Sequence, residues 1–439
     1  MKEYIDFIIW IIFLFCVSIM SAYLILAAIS VVTLRKYLKT NSFSDYNSIL
    51  NSPLAPPVSI IAPAYNEGLT IVDNAKSLLA LHYNNYEVLI VNDGSKDDTL
   101  QKLIAAFDLQ LIQVPVNIQI ECKEIRGVYR SSNPAFKKFR VIDKVNGGKA
   151  DALNAGINVS SAPYITCIDV DVVLEQDSLI KMVKPFLEAT KKRVIASGGV
   201  VRIANSCVIE NGKLMSVEVP DKLVARIQVL EYIRAFLLGR MAWSRMDGLL
   251  LISGAFGMFD KDIAIKAGGY YHKTVGEDME LVVRMRRYMH DHNLPYTVTF
   301  IPDPLCWTEA PEDYKILGRQ RSRWTRGTME TLWLHREMLL NPKYKILGLL
   351  SYPFWLVYEY LAPIIEATGL LFSIFLACMG LINWHFFVLL LLFVYTFAIM
   401  FSMLSLLTEE TTYYQYTKRK DYIRLIYGAV LEPIFLHPL

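Results

Sequence analysis

Residues 58–107 read VSIIAPAYNEGLTIVDNAKSLLALHYNNYEVLIVNDGSKDDTLQKLIAAF. The run 58–65 is short and apolar, closed by Pro63, and followed by the polar pair Asn66-Glu67. Residues 71–81 carry apolar side chains at helical spacing. A second apolar run, 86–91, ends in Asn92-Asp93-Gly94-Ser95, and 98–107 again reads as helix. Strand, helix, strand, helix predicts an α/β domain: a mostly parallel sheet with helices on both faces. Further strands are expected at 137–142, 164–168 and 193–201. Ligands of such sheets bind beyond the carboxyl ends of the strands, and Asp93, Asp169 and Asp171 fall at those ends.

Working outward, four constellations carry chemistry. Asp169-Val170-Asp171 follows the apolar run 164–168, and in an extended segment residues i and i+2 share a side. Two crowded carboxylates repel, and a divalent cation with hard oxygen ligands, Mg²⁺ or Mn²⁺, relieves the repulsion. Acidic pairs are also common on plain surfaces. Gly147-Gly148-Lys149 opens a helical stretch, where freed backbone, helix-start N–H groups and a lysine favour an anion; a simple glycine turn is the competing reading. Gly276-Glu277-Asp278 precedes an apolar helix. Its acids are either a cap favoured by the helix dipole or a general base. In Gln320-Arg321-Ser322-Arg323-Trp324, positions 320, 323 and 324 share one helix face. That face offers an amide, a cation suited to pyrophosphate and an indole able to stack on a sugar. An interfacial anchor is the alternative.

The chain has 439 residues, and its 54% hydrophobic content is concentrated at the two ends. Residues 4–33 are almost continuously apolar, long enough for a span of about 20 helical residues. Arg35, Lys36 and Lys39 follow, which favours an uncleaved anchor with the next domain in the cytoplasm. Residues 346–378 and 384–407 are two further spans, with 380–383 as an outer turn; Lys418, Arg419, Lys420 and Arg424 return the chain to the cytoplasm. Residues 425–436 are apolar but too short to span, so 409–439 is expected to hold a basic segment and a partial transmembrane or interfacial helix. Glu359 and Glu366 sit within a span, facing a polar cavity or else lying near its cytoplasmic end or beside an arginine. Two basic amphipathic stretches, 222–245 and 314–335, are expected in the membrane interface. The expected organisation is an anchor over 1–34, a cytoplasmic domain over 55–340, and two spans within 346–408. A net charge of +3 gives no reason to expect nucleic acid. The six scattered cysteines suggest neither zinc nor a disulfide framework.

Taken together, Asp93, Asp169-x-Asp171, Asp278 and Gln320-x-x-Arg323-Trp324 resemble the D, DxD, D, QxxRW series of processive family-2 inverting glycosyltransferases, the group of cellulose, chitin, hyaluronan and poly-N-acetylglucosamine synthases. Residues 63–67, 148–154, 253–257 and 309–312 agree with it. The resemblance implies a GT-A-type nucleotide-sugar domain. It implies a multi-pass protein of the cell membrane that transfers sugar, N-acetylglucosamine expected, from a UDP-sugar to a growing β-linked polysaccharide and helps export it. Asp93 would contact the nucleotide base, and Asp169 and Asp171 the diphosphate with its Mg²⁺ or Mn²⁺. Lys149, Ser253 and Gly254 would adjoin the nucleotide-sugar. Asp278 would be the base, Gln320 and Arg323 would steady the diphosphate, and Trp324 would line the acceptor site. A glycan acceptor, membrane lipid and, for some members, a small membrane subunit are the implied partners. Two departures stand out: Gly276 replaces a frequent threonine, and 116–137 is a longer insertion of open role. The rival readings are a single transfer to a lipid acceptor and a catalytically silent membrane scaffold.

Overall fold

The computed structural model describes residues 2–435 except 43–45, 51, 53, 54, 114 and 211. The expected C-terminal segment therefore continues, over 436–439, outside the described residues. Twelve strands are found among the described residues: β1 (Val58–Ala64), β2 (Tyr86–Asn92), β3 (Leu109–Ile112), β4 (Ile125–Ser131), β5 (Phe139–Lys144), β6 (Tyr164–Ile168), β7 (Val173–Leu174), β8 (Arg193–Ile203), β9 (Val208–Glu210), β10 (Lys213–Ser216), β11 (Phe256–Asp260) and β12 (Tyr296–Thr308). Ten of them form one sheet in the order β3-β4-β5-β2-β1-β6-β11-β8-β12-β7, while β9 and β10 make a separate ribbon. The central β5-β2-β1-β6 block is parallel. Only β4, β7 and β11 run against the other seven. The sheet is thus mostly parallel, as the alternating pattern predicts. The central strands are buried almost throughout, which is why they read as continuous apolar runs rather than alternating ones.

Helices Ile71–Leu79, Thr99–Phe107, Lys149–Val159 and Ser178–Glu188 follow the strands. Helix Lys149–Val159 lies on β1 and β2 so closely that a Cβ at Gly156 would press into Ile61. The carboxyl ends of β1, β2, β5, β6, β8 and β12, with the amino end of β11, share one edge.

Among the described residues, three helices are long and apolar enough to cross a membrane: Glu3–Asn41, Leu347–Cys378 and Trp384–Thr412. Their apolar side chains, Leu14, Leu371 and Leu389 among them, point outward from the protein. Tyr23 of the first donates to Glu359 at 3.1 Å, so one acid within the apolar segments has a hydroxyl partner.

The stretch 222–245 is covered on most sides. It runs as helix Leu223–Ile233, a π-helical segment Arg234–Arg240 and helix Met241–Arg245. It packs between β8 and helices Lys2–Asn41, Trp384–Thr412 and Arg419–Phe435. One of its basic residues is satisfied inside: Arg234 donates to Ser402 and Glu432, each at 2.6 Å. Helix Tyr314–Leu334 instead leaves Ile316, Trp324 and Trp333 exposed.

Polar contacts fasten the sheet domain to the apolar helices. Tyr37 donates to Asp303 Oδ2 at 2.6 Å, and Ser30 to the Leu238 carbonyl at 2.7 Å. Arg202 at the end of β8 forms a buried ion pair with Glu409 of helix Trp384–Thr412. Among the described residues Arg202 Nε and Nη1 and Glu409 Oε1 have no hydrogen-bond partner, so this pair is costly to bury and costlier to halve. Removing one partner of a buried pair costs about 3–5 kcal/mol, whereas replacing both with apolar residues is often neutral or stabilising. Arg202→Met alone should therefore lower the melting temperature of the detergent-purified protein, and the double variant R202M/E409M should recover most of the loss.

Candidate active site

The site is built from the carboxyl edge of the sheet. Asp93 follows β2, and its backbone N–H donates to the Ala64 carbonyl of β1 at 2.9 Å. Its carboxylate is buried and receives Lys144 Nζ at 2.8 Å, the N–H groups of Gly147 and Gly148 at 2.9 and 2.7 Å, and Asn146 Nδ2 at 3.2 Å. Lys144, wholly buried, also pairs with Asp151 at 2.5 Å. Gly148 stands at φ +89°, in a region that side chains disfavour. Asp93 thus fixes the turn from which helix Lys149–Val159 starts.

Lys149, the first residue of that helix, forms an ion pair with Asp169 and lies 4.0 Å from Glu277 Oε1. Burial works against its charge, but Asp169, Glu277 and Asp278 outweigh burial and raise its pKa. Asp169-Val170-Asp171 lies in a turn just past β6 rather than in extended chain. The alternation survives all the same: Val170 and Val172 are buried, while Asp169 is half-exposed and Asp171 exposed. Although the Asp171 side chain reaches solvent, the protein packed around it pushes its pKa up, and the neighbouring Asp169 charge adds to this. Burial, and then Asp278, likewise raise Glu277.

Asp278 lies in the first turn of helix Glu277–Asp291. Its Oδ2 accepts from the Gly254 N–H at 3.0 Å and its Oδ1 from the Met279 N–H at 2.8 Å. A Cβ on Gly254 would sit 3.3 Å from both Asp278 Oδ2 and Lys149 Nζ, so the segment bearing Ser253 and Gly254 passes between them. Lys149, Asp169, Gly254, Glu277 and Asp278 therefore form one cluster.

The helix bearing Gln320, Arg323 and Trp324 starts at Asp313, whose side chain caps the N–H groups of Lys315 and Ile316. Arg323 and Trp324 are exposed, and among the described residues Arg323 makes no ion pair. Gln320 Oε1 is buried without a partner among the described residues. Arg321, which the shared-face argument passes over, forms an ion pair with Glu231 and lies 4.8 Å from the Trp324 ring. The helix reaches the acidic cluster through backbone. Glu330 accepts from Thr274 Oγ1 at 2.8 Å and from the Val275 N–H at 3.0 Å. A Cβ on either Gly276 or Gly327 would lie 2.7 Å from the other's Cα. This contact accounts for glycine at 276. Arg240 is a further functional candidate that sequence periodicity missed. It stacks on Phe236 at 3.9 Å, and its buried Nη1 lacks a partner among the described residues. Burial lowers its pKa to about 10, against the pull of Asp278 and Glu359.

Among the described residues no group of three His, Cys, Asp or Glu side chains is arranged to hold a metal by itself. Asp169 and Asp171 nevertheless suit a hard cation. They are oxygen donors, and after burial, which raises Asp171 most, the Asp169 charge raises it further, a repulsion that a cation would relieve. Mg²⁺ characteristically takes one or two carboxylates and completes its shell with substrate phosphates and water, which fits a pair of this kind.

Residues 164–403 match the sequence family described as Glycosyl transferase family group 2, and residues 59–118 match Glycosyl transferase family 2. Over 279 residues the chain is 29% identical to the poly-beta-1,6-N-acetyl-D-glucosamine synthase of Staphylococcus epidermidis, covering 63% of this chain and 55% of that protein. It is 28% identical over 278 residues to the Staphylococcus aureus protein of the same name, with the same coverage. The match thus spans about half the length of these relatives. A mannosyltransferase from Pyrobaculum calidifontis, solved with GDP-Man and Mn²⁺, superposes over 95% of this chain and 99% of its own, with a TM-score of 0.51 at 17% identity. The two share a fold, which is the GT-A-type arrangement the motif series implies.

The Gly276–Gly327 contact makes a specific prediction. Overpacking a tight site costs about 1–3 kcal/mol. Gly276→Ala and Gly327→Ala should each lower the melting temperature and slow nucleotide release from a sugar nucleotide. Because each added methyl meets the other glycine's backbone, the double variant should lose less than the sum of the two.

Proposed function

This chain belongs to glycosyl transferase family group 2, and from that premise we propose that it transfers N-acetylglucosamine from UDP-N-acetylglucosamine to a growing β-linked polysaccharide. We place the cleft on the cytoplasmic side of the cell membrane, with the apolar helices guiding the product outward. The observation that carries the reading is the cluster at the carboxyl edge: Asp278 lies beside Gly254, Lys149 and Asp169, and the Gln320–Trp324 helix touches the same loop. The names of the staphylococcal relatives favour this sugar, and the basic residues flanking the first and last apolar helices favour the orientation.

Asp278 takes the proton of the acceptor hydroxyl. Its two N–H contacts, from Gly254 and Met279, fix its direction. The acceptor oxygen bonds to the anomeric carbon as the bond to the UDP oxygen breaks, and the electron pair leaves with UDP. Attack from the opposite side inverts the centre. Lys149 and Arg323 offset charge growing on the leaving diphosphate. Asp169 and Asp171 would hold a Mg²⁺ or Mn²⁺ ion, which neutralises diphosphate charge when bound. Asp93 shapes the turn next to the nucleotide, Gln320 orients the diphosphate, and Trp324 offers an indole face to the acceptor sugar. Membrane lipid surrounds the apolar helices, and a small membrane subunit is a candidate partner.

The test supplies UDP-N-acetylglucosamine, UDP-glucose and UDP-glucuronic acid, with and without Mn²⁺, to the full chain in nanodiscs. UDP release and product length are both measured. The expected result is Mn²⁺-dependent release with the first donor and a product of high mass. Asp278→Asn should cut the rate about 10²–10⁴-fold, the range for a general base. A product limited to single sugars on lipid would replace the polymerase reading with single transfer. No turnover in native membranes either, where partner subunits are present, would contradict the assignment.

A further inference from the structure

The insertion 116–137, which no step above uses, is a strap over the Gly147–Gly148 turn and its helix. The N–H groups of Gln119 and Ile120 each donate to Asn158 Oδ1 at 3.0 Å, and Asn158 Nδ2 returns a bond to the Ile120 carbonyl at 2.8 Å. The Lys123 N–H donates to Asp151 Oδ2 at 3.0 Å, and its Nζ to the Asn146 carbonyl at 2.6 Å. Buried Asp151 and Asn158 thus bind backbone of the strap, and the strap leads directly into β4.

The second residue of β4 is Arg126. Its side chain crosses the end of β5, where Nη2 donates to the Lys144 carbonyl at 2.7 Å and Nε lies 3.7 Å from Asp143. The same Nη2 lies 3.2 Å from the position a Cβ would take on Gly94. Arg126 therefore stands beside Asp93-Gly94 at the ligand-binding edge, with its side chain 49% exposed. Asp93 itself, expected to read the nucleotide base, has its carboxylate filled by Lys144, Asn146, Gly147 and Gly148. Arg126, half-exposed, has five N–H donors, more than its contact with the Lys144 carbonyl uses.

Position along the edge tells what Arg126 meets. The diphosphate end is set by Asp169 beyond β6. From there to β5 is three strand spacings, about 14 Å at ~4.8 Å each, a span suited to a nucleoside diphosphate laid along the edge. We propose that Arg126 is a specificity-determining residue of the donor site, donating through its guanidinium to a carbonyl oxygen of the nucleobase and so selecting uracil over cytosine. This rests on the UDP-sugar reading above. Arginine offers donors only. Uracil presents a carbonyl acceptor at C4, where cytosine presents an amino donor, so cytosine would set donor against donor and leave both unpaired.

The experiment measures UDP and CDP affinity calorimetrically, with Mn²⁺, for the full detergent-purified chain and for Arg126→Ala and Arg126→Lys. Wild type should prefer UDP. R126A should reduce the UDP-to-CDP affinity ratio about tenfold, the order of one charge-assisted hydrogen bond. R126K keeps the charge without the planar fork; it should also reduce the ratio, and it carries the test if R126A does not fold. An unchanged ratio in variants that still bind UDP overturns the proposal. So does an equal loss for both nucleotides, which would make Arg126 only a brace for the end of β5. A wild-type chain that fails to bind UDP overturns the UDP-sugar reading as well, and so separates the two failures.

Discussion

The site depends on one buried charge triad. Lys144, with no exposed side chain, lies between Asp93 and Asp151, and none of the three reaches much water. Breaking a buried pair leaves an uncompensated charge that costs several kcal/mol. The cluster avoids that cost because Asp93 also collects two glycine N–H groups and an asparagine amide. The chain must therefore turn sharply at Gly147-Gly148, and the helix after the turn places Lys149 against Asp169. The acid at the end of β2 thereby sets where the cation beside β6 stands.

A second constraint joins the sugar-transfer chemistry to the membrane. The segment 223–245 lies between the sheet and the apolar helices rather than hanging beneath them. It holds the Gln320–Trp324 helix through Glu231 and Arg321, and that helix touches backbone two residues before Asp278. A shift of the apolar helices therefore has a packed route to the proposed base. The π-helical segments at Arg234–Arg240 and Trp355–Tyr360 lie on this route, and such irregular turns are often found at functional positions.

What the sequence revealed was what short-range pattern can carry. The apolar runs 58–65, 86–91 and 164–168 became central parallel strands because burial on both faces requires continuous apolar side chains. Asp169 and Asp171 were legible because alternate burial persisted through a turn. The hidden features pair residues far apart in the chain. Arg321 finds Glu231, Arg202 finds Glu409, and Gly276 meets Gly327. No local period announces any of them. The stretch 222–245 has arginines among apolar residues, a composition that suggests a helix at the membrane surface. In the fold, Glu432 and Ser402 receive Arg234, so the same composition can be buried. Arg240 and Arg126 read as ordinary cations until the fold places one near Asp278 and the other near Gly94.

In the proposed function, Asp169 and Asp171 are an incomplete metal site that a UDP diphosphate completes. Calorimetric titration of Mn²⁺ with and without UDP, and of UDP with and without Mn²⁺, tests it most directly. The account predicts weak Mn²⁺ binding alone, a large gain with UDP, and an equal gain for UDP with Mn²⁺, since such coupling is reciprocal. Asp171→Asn should abolish the coupling. Tight Mn²⁺ binding without nucleotide, or UDP binding indifferent to Mn²⁺, would contradict it.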